Sequence, residues 1–193
     1  MTKSDLLIIG SGPGGYRAAQ YAAQHSLSVV IVEAEDAGGT CLNRGCIPTK
    51  PLCRNAEIID TLHEANTFGL EGEGYALNFA AVMERKNQVV NQLRSGVEAL
   101  MKQPNITMVH GFAKFKDSKT VVVNEEEYTA DNIIIATGSD SKCPPVEGLQ
   151  LPGVINSTQL LSIDHLPKRL CIIGAGVIGM EFASVFSSFG TQV

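Results

Sequence analysis

With 193 residues, a net charge of −5, 44% hydrophobic and 18% charged residues, the chain has the composition of one globular domain, or one and a fraction, with a sizeable core. Its Lys and Arg residues are scattered, which argues against a nucleic-acid partner, and no apolar run reaches membrane-spanning length. The sequence enters its first strand almost at once, with no room for a cleavable signal peptide. That predicts an intracellular, cytoplasmic location, where disulfides serve redox chemistry more often than structure.

Asp5–Ile9 reads as a buried strand, followed by the glycine-rich turn Gly10-Ser11-Gly12-Pro13-Gly14-Gly15. Tyr16–His25 reads as a helix of small residues able to pack close to a sheet, and Leu27–Val32 as a second strand closing at Glu33. This has the size of a dinucleotide-fold βαβ unit. Cys53–Glu64 and Phe79–Met101 read as helices separated by a loop at Gly69–Gly74. In the second, Val82, Val89, Val90, Leu93, Val97, Leu100 and Met101 form the expected buried stripe. From Ile106 the period becomes strand-like. Runs at Thr107–His110, Thr120–Val123 and Asn132–Ile135, split by Glu125-Glu126-Glu127, predict a small antiparallel sheet inserted before a return strand that ends at Ala136-Thr137-Gly138. After a proline-rich connector, Leu170–Ile173 reads as a buried strand leading into Gly174-Ala175-Gly176-Val177-Ile178-Gly179. Cys171 is then expected in the core.

The second glycine motif repeats the first. At a constant offset of 164, Ile8, Ile9, Gly10, Gly12, Gly15, Ala19 and Val29 meet identical residues at Ile172, Ile173, Gly174, Gly176, Gly179, Ala183 and Val193. The fold class is therefore α/β: a Rossmann-like domain over residues 1–150, then a connector and the start of a second Rossmann-like unit over 151–193. The counterpart of Glu33 would fall beyond Val193, so the sequence is expected to be a piece of a longer protein.

In the first motif, Gly10 permits the tight turn, Gly12 lets backbone approach a pyrophosphate, and Gly15 lets the helix pack against the sheet. The helix N-terminus attracts phosphate, and Glu33 is placed to accept from a ribose hydroxyl. The bland alternative is a structural glycine turn. Cys41 and Cys46 lie five positions apart, and a dithiol downstream of a dinucleotide loop implies electron transfer between dinucleotide and disulfide. The alternatives are a pair of small buried hydrophobes or zinc ligands, but no second Cys/His pair stands at ligand spacing and no metal site is expected. His63 and His110 are isolated. Lys50 and Glu181, taken alone, are solvated surface charges.

The run Gly38-Gly39-Thr40-Cys41-Leu42-Asn43-Arg44-Gly45-Cys46-Ile47-Pro48-Thr49-Lys50 resembles the redox-active segment of the flavoprotein disulfide reductases, the class I pyridine nucleotide-disulfide oxidoreductases. Leu42 and Ile47-Pro48-Thr49-Lys50 resemble the dihydrolipoamide dehydrogenase branch more than the glutathione reductases. The resemblance runs the whole chain, and only Pro51 departs from the small or apolar residue common in that place. It implies that residues 1–150 bind FAD and that 151–193 begin an NAD-binding domain, with NADP left open. Gly10, Gly12, Pro13, Gly14, Gly15 and Glu33 would hold the ADP half of FAD. Gly39, Thr40, Ala136, Thr137 and Gly138 would line the same cofactor, and Gly174, Gly176 and Gly179 would begin the NAD site. Cys46 would be the thiolate against the flavin and Cys41 the interchange thiol. Lys50 would lie near the flavin and pair with Glu181. The implied substrate is dihydrolipoamide on the carrier domain of a 2-oxoacid dehydrogenase or glycine cleavage complex, and the implied assembly is a homodimer. Glutathione- or mercuric-reductase-type chemistry and a non-catalytic FAD module are the alternatives. No residue matches the His–Glu acid–base pair of the family or its later Gly-Asp flavin segment, so these 193 residues alone are expected to be inactive.

Overall fold

The computed structural model describes residues 2–72 and 74–193; Glu73, in the expected Gly69–Gly74 loop, lies outside the described residues. Contacts divide the chain into two compact units, one formed by residues up to Gly45 with Val90–Asp140, the other by Cys46–Val89 with Ser141–Val193.

The first unit holds the only sheet among the described residues, from β1 (Thr2–Ile9), β2 (Val29–Glu33), β3 (Ile106–His110), β4 (Lys114–Phe115), β5 (Thr120–Val123) and β6 (Glu126–Ile135), in the order β3-β2-β1-β6-β5-β4. The first four positions run parallel, with Ile8 opposite Ile31 on one side and Ile134 on the other. Val29, Val30, Ile31 and Val32 are all buried, the continuous apolar run of a strand covered on both faces. Helix α1 (Pro13–Gln24) joins β1 to β2, and its buried residues Gly15, Ala19 and Ala22 are small enough for close approach. A second apolar cluster gathers Leu7, Val30 and Val32 with Val121, Val123, Tyr128 and Ala130.

Two expectations about this sheet are corrected. The run at Thr107–His110 belongs to β3, which pairs parallel with β2 rather than joining the antiparallel insertion. The acidic run does not interrupt a strand at all three residues. Asn124 and Glu125, both at positive φ, make the two-residue turn between β5 and β6, while Glu126 and Glu127 begin β6. β6 is therefore at once the second arm of the hairpin and the parallel neighbour of β1.

The second unit is helical. It contains α3 (Cys46–His63), the first half of α4 (Phe79–Leu100), the short α5 (Ser157–Leu160) and α6 (Val177–Ser188). Its core joins Leu52, Ala56 and Ile59 to Val82 and Met83, Leu160 and Leu161, and Phe182, Val185, Phe186 and Phe189. Helix α3 starts seven residues before the expected Cys53. Prolines 48 and 51 suggest a break, but proline in a first turn sacrifices no intrahelical bond, and Pro51 just past it removes one. Helix α5 opens on a capping box in which Asn156 and Gln159 exchange hydrogen bonds. The buried face of α4 is shifted from the expected stripe, since Leu93 is exposed while Met83 and Lys86 are buried. Lys86 donates to the carbonyl of Leu161, and burial holds its amine below the ordinary lysine range.

Leu170–Ile173 is not a strand. One parallel bridge, Arg169 to Gln192, is formed beside it, and an apolar run makes a strand only where a neighbour supplies the ladder. Cys171 and Ile173 are accordingly exposed, which corrects the expectation that Cys171 is core. No helix among the described residues is long and apolar enough to cross a membrane.

Candidate functional site

Within the first unit, segments far apart in sequence meet at the carboxyl ends of β1, β2 and β6. The strand order reverses at β1, the place where open α/β sheets leave a crevice for ligands. Gly10 turns the chain there at φ +99°, and a Cβ on it would lie 2.3 Å from the carbonyl oxygen of Ala136. Its N–H donates to Val32 O at 2.7 Å, and Ala136 N–H donates to Ile9 O at 2.8 Å, so this corner is held from both sides. A Cβ on Gly15 would fall 1.8 Å from Gly10 O, which is why that helix position must be bare. Gly12 caps α1 in extended conformation without a side-chain cap, and Pro13 takes the first helical position, where its missing N–H costs nothing. Gly39, at φ +61°, lies so close to Gly12 that a Cβ would come within 2.6 Å of its Cα. Thr40 Oγ1 donates to Ser139 O at 3.4 Å and lies beside Gly138. Gly10, Gly12, Gly14, Gly39, Thr40, Ala136, Thr137 and Gly138 are thus brought together as a floor of nearly bare backbone.

Glu33 ends β2 at the same edge. Its Oε2 accepts from the N–H of Ser11 at 2.8 Å and from the Ser11 hydroxyl at 2.6 Å, and Oε1 accepts from Glu35 N–H at 3.0 Å. Oε1 keeps acceptor capacity for a further donor such as a sugar hydroxyl. Ser11 is fully buried and was not singled out from sequence, because serine in a glycine turn has an ordinary turn role. Its repeat counterpart, Ala175, has no hydroxyl, and that contrast is the signal that could have found it.

Cys41 lies half-buried on a short helix, α2 (Gly39–Arg44). Cys46 is the exposed first residue of α3 in the second unit, with exposed Lys50 one turn on. Lys50 and Glu181 both act on Cys53. Burial, then Glu181 and Glu57, push that thiol up, and Lys50 opposes them. No ion pair joins Lys50 to Glu181 among the described residues.

The second glycine motif reproduces the first in geometry. Gly174 turns at φ +110°, Gly176 caps α6 in extended conformation, and a Cβ on Gly179 would lie 2.1 Å from Gly174 O. Both helices have 12 residues and end alike. Leu27 N–H donates to Ala22 O at 3.1 Å, and Thr191 N–H donates to Phe186 O at 2.9 Å. The repeat also starts the same parallel pairing, Leu170 N–H to Gln192 O matching Leu6 N–H to Ser28 O. The copies differ at the turn, since nothing lies within 4 Å of a Cβ built on Gly174. Gly174 and Gly179 instead border an open groove of about 460 Å³ with Ile172, Met180 and Ala183.

The family model described as pyridine nucleotide-disulphide oxidoreductase matches residues 4–193. Dihydrolipoyl dehydrogenase of Acholeplasma laidlawii is 42% identical over 98% of this chain and 58% of its own length. That of Mycoplasma pneumoniae is 44% identical over 98% of this chain and 42% of its own, and that of Mycobacterium tuberculosis 43% identical over 100% and 42%. The Cu(II) complex of the HOCl-induced flavoprotein disulfide reductase RclA from Escherichia coli superimposes with a TM-score of 0.87 at 35% identity, over 100% of this chain and 42% of that one. The chain therefore spans between about two fifths and three fifths of the length of these relatives. It belongs to the pyridine nucleotide-disulphide oxidoreductase family.

Proposed function

We propose that these residues form the flavin-binding, dithiol-bearing part of a disulfide oxidoreductase of the dihydrolipoamide dehydrogenase type. The observation that carries the reading is the convergence of Gly10–Gly15, Glu33, Gly39-Thr40 and Ala136–Gly138 on one sheet edge, with Cys41 on the helix that Gly39 opens. The bare floor fits a cofactor that demands close backbone approach, and the N-terminus of α1 offers unpaired N–H groups to a diphosphate. Residues 1–150 are assigned to FAD and 151–193 to a connector and the start of an NAD domain, supported by the repeated glycine geometry.

Gly10, Gly12, Pro13, Gly14 and Gly15 would seat the diphosphate, and Glu33, oriented by Ser11, would take a ribose hydroxyl. Cys41 would exchange with the substrate. A dihydrolipoamide thiolate attacks the Cys41–Cys46 disulfide, a mixed disulfide forms at Cys41, and the second substrate thiolate displaces it, leaving lipoamide and two reduced cysteines. Bound FAD would accept the two electrons and pass them to NAD. Lys50, near the flavin, would favour the anionic reduced cofactor, and Glu181 would moderate that charge. Gly174, Gly176 and Gly179 would open the nucleotide site. The reading extends to a cytoplasmic homodimer acting on a lipoyl carrier domain of a 2-oxoacid dehydrogenase or glycine cleavage complex. Turnover would need residues outside these 193. A second reading, another disulfide reductase, is supported by the likeness to RclA.

The test is made on the protein at the length of its relatives. Dihydrolipoamide-dependent NAD reduction is expected, with a long-wavelength thiolate–flavin band on two-electron reduction that Cys46→Ser removes and Cys41→Ser keeps. The 193-residue chain should show no turnover. Absence of flavin from the longer protein, or reduction of other disulfides with dihydrolipoamide inert, would overturn the proposal.

A further inference from the structure

Cys41 rides on a helix of six residues, too short to hold its own geometry, and the chain enters it through Gly38 and Gly39 at φ +100° and +61°. Side-chain hydrogen bonds must fix it. Asn43 does so from within the segment. Its Nδ2 donates toward the carbonyls of Asp36 at 3.3 Å, Ala37 at 3.1 Å and Gly39 at 3.1 Å, so three acceptors share the two amide hydrogens. Asn43 is itself held from α4, 51 residues away. Arg94 Nε donates to Asn43 Oδ1 at 2.9 Å, and Arg94 Nη2 pairs with Asp36 Oδ2 at 3.0 Å. One rigid guanidinium thus grips both the amide that orders the turn and the carboxylate at the start of that turn. An exposed ion pair alone would contribute little. Here the pair is half of a fork, and the other half polarises the amide whose hydrogens hold the backbone.

We propose that Arg94 and Asn43 are positioning residues for Cys41, setting the exposure and orientation of that thiol through α2. The proposal rests on the reading of Cys41 as the interchange thiol, but its test does not. The reduced 193-residue chain is alkylated with iodoacetamide and digested with trypsin. Cys41 falls alone in the peptide 18–44 and Cys143 alone in 143–168, so each rate is read separately. Arg94→Met removes the fork, and its side chain, 26% exposed, lies outside the core. Cys41 alkylation should rise about tenfold, the factor that matches losing one charged hydrogen bond of ~1.4 kcal/mol, with the Cys143 rate and the melting midpoint little changed. Arg94→Lys, which keeps the charge without the fork, should retain most of that rise. A Cys41 rate unchanged within a factor of about two, or a rise shared equally by Cys143, would overturn the proposal. If Arg94→Met does not fold, Arg94→Lys is judged by the same criteria. Air oxidation of the wild type separately reports the Cys41–Cys46 disulfide. Its absence counts against the redox reading, whereas the labelling rates alone decide whether Arg94 positions Cys41 through Asn43.

Discussion

Replacing Gly10 with alanine should be far more damaging than the same change at Gly174, although the two are equivalent in the repeat. Both residues sit at positive φ, +99° and +110°, so each alanine incurs a backbone strain of ~1–2 kcal/mol. Only at Gly10 does the new methyl meet backbone, 2.3 Å from Ala136 O and 3.3 Å from Thr137 Cα. That backbone cannot give way easily, because Ala136 N–H is bonded to Ile9 O and Gly10 N–H to Val32 O. Overpacking against a fixed neighbour adds roughly 1–3 kcal/mol. The expected loss is therefore about 2–5 kcal/mol for Gly10→Ala and ~1–2 kcal/mol for Gly174→Ala. Hydrogen exchange read by mass spectrometry across a urea series resolves peptides of β1 and β6 from those of α6, so each site is scored in its own unit. Equal losses at the two sites would refute the argument that the neighbouring strand, rather than the turn itself, demands glycine at Gly10.

Ser11→Ala removes a part-buried 2.6 Å hydrogen bond to the Glu33 carboxylate and should weaken FAD binding to the longer protein roughly tenfold, measured by calorimetry, with the backbone N–H of Ser11 still in place. Lys86 predicts a pH effect. Its folded pKa lies below the ordinary 10.5, so the unfolded chain binds more protons between the two values, and stability should rise with pH through that window. Lys86→Met should lie within about 1 kcal/mol of wild type near neutral pH and should lack that alkaline rise, as followed by urea midpoints; a rise that persists in the variant assigns it elsewhere. Glu181→Gln should lower the Cys53 pKa and speed its alkylation at mildly alkaline pH about two- to threefold, read from the modification at Cys53 within peptide 45–54; an unchanged rate would show that the Glu181 charge does not act on this thiol.

Local chemistry made much of this protein legible in its sequence. Only glycine fits the turn at Gly10 and the helix contact at Gly15, so those positions, the strand before them and the acid at Glu33 carry the dinucleotide unit in plain view. The offset of 164 marks a second copy, whose positive-φ glycine, extended N-cap and 12-residue helix follow the first, while the backbone neighbour that Gly10 meets has no counterpart at Gly174. The segment proposed to carry the redox dithiol is equally local, because its cysteines, glycines and proline lie within one short run. The elements that depend on partners were not legible. β6 is long because β1 and β5 each pair with it, and Leu170–Ile173, with an equally apolar sequence, stays outside a ladder where it meets one bridge. The hydroxyl that orients Glu33 comes from the glycine turn, and the arginine that grips the Cys41 helix comes from α4. A residue's own propensity and spacing are written in its neighbours along the chain. Which ladder it joins, and which distant side chain holds it, is decided only when packing brings those groups within hydrogen-bond reach.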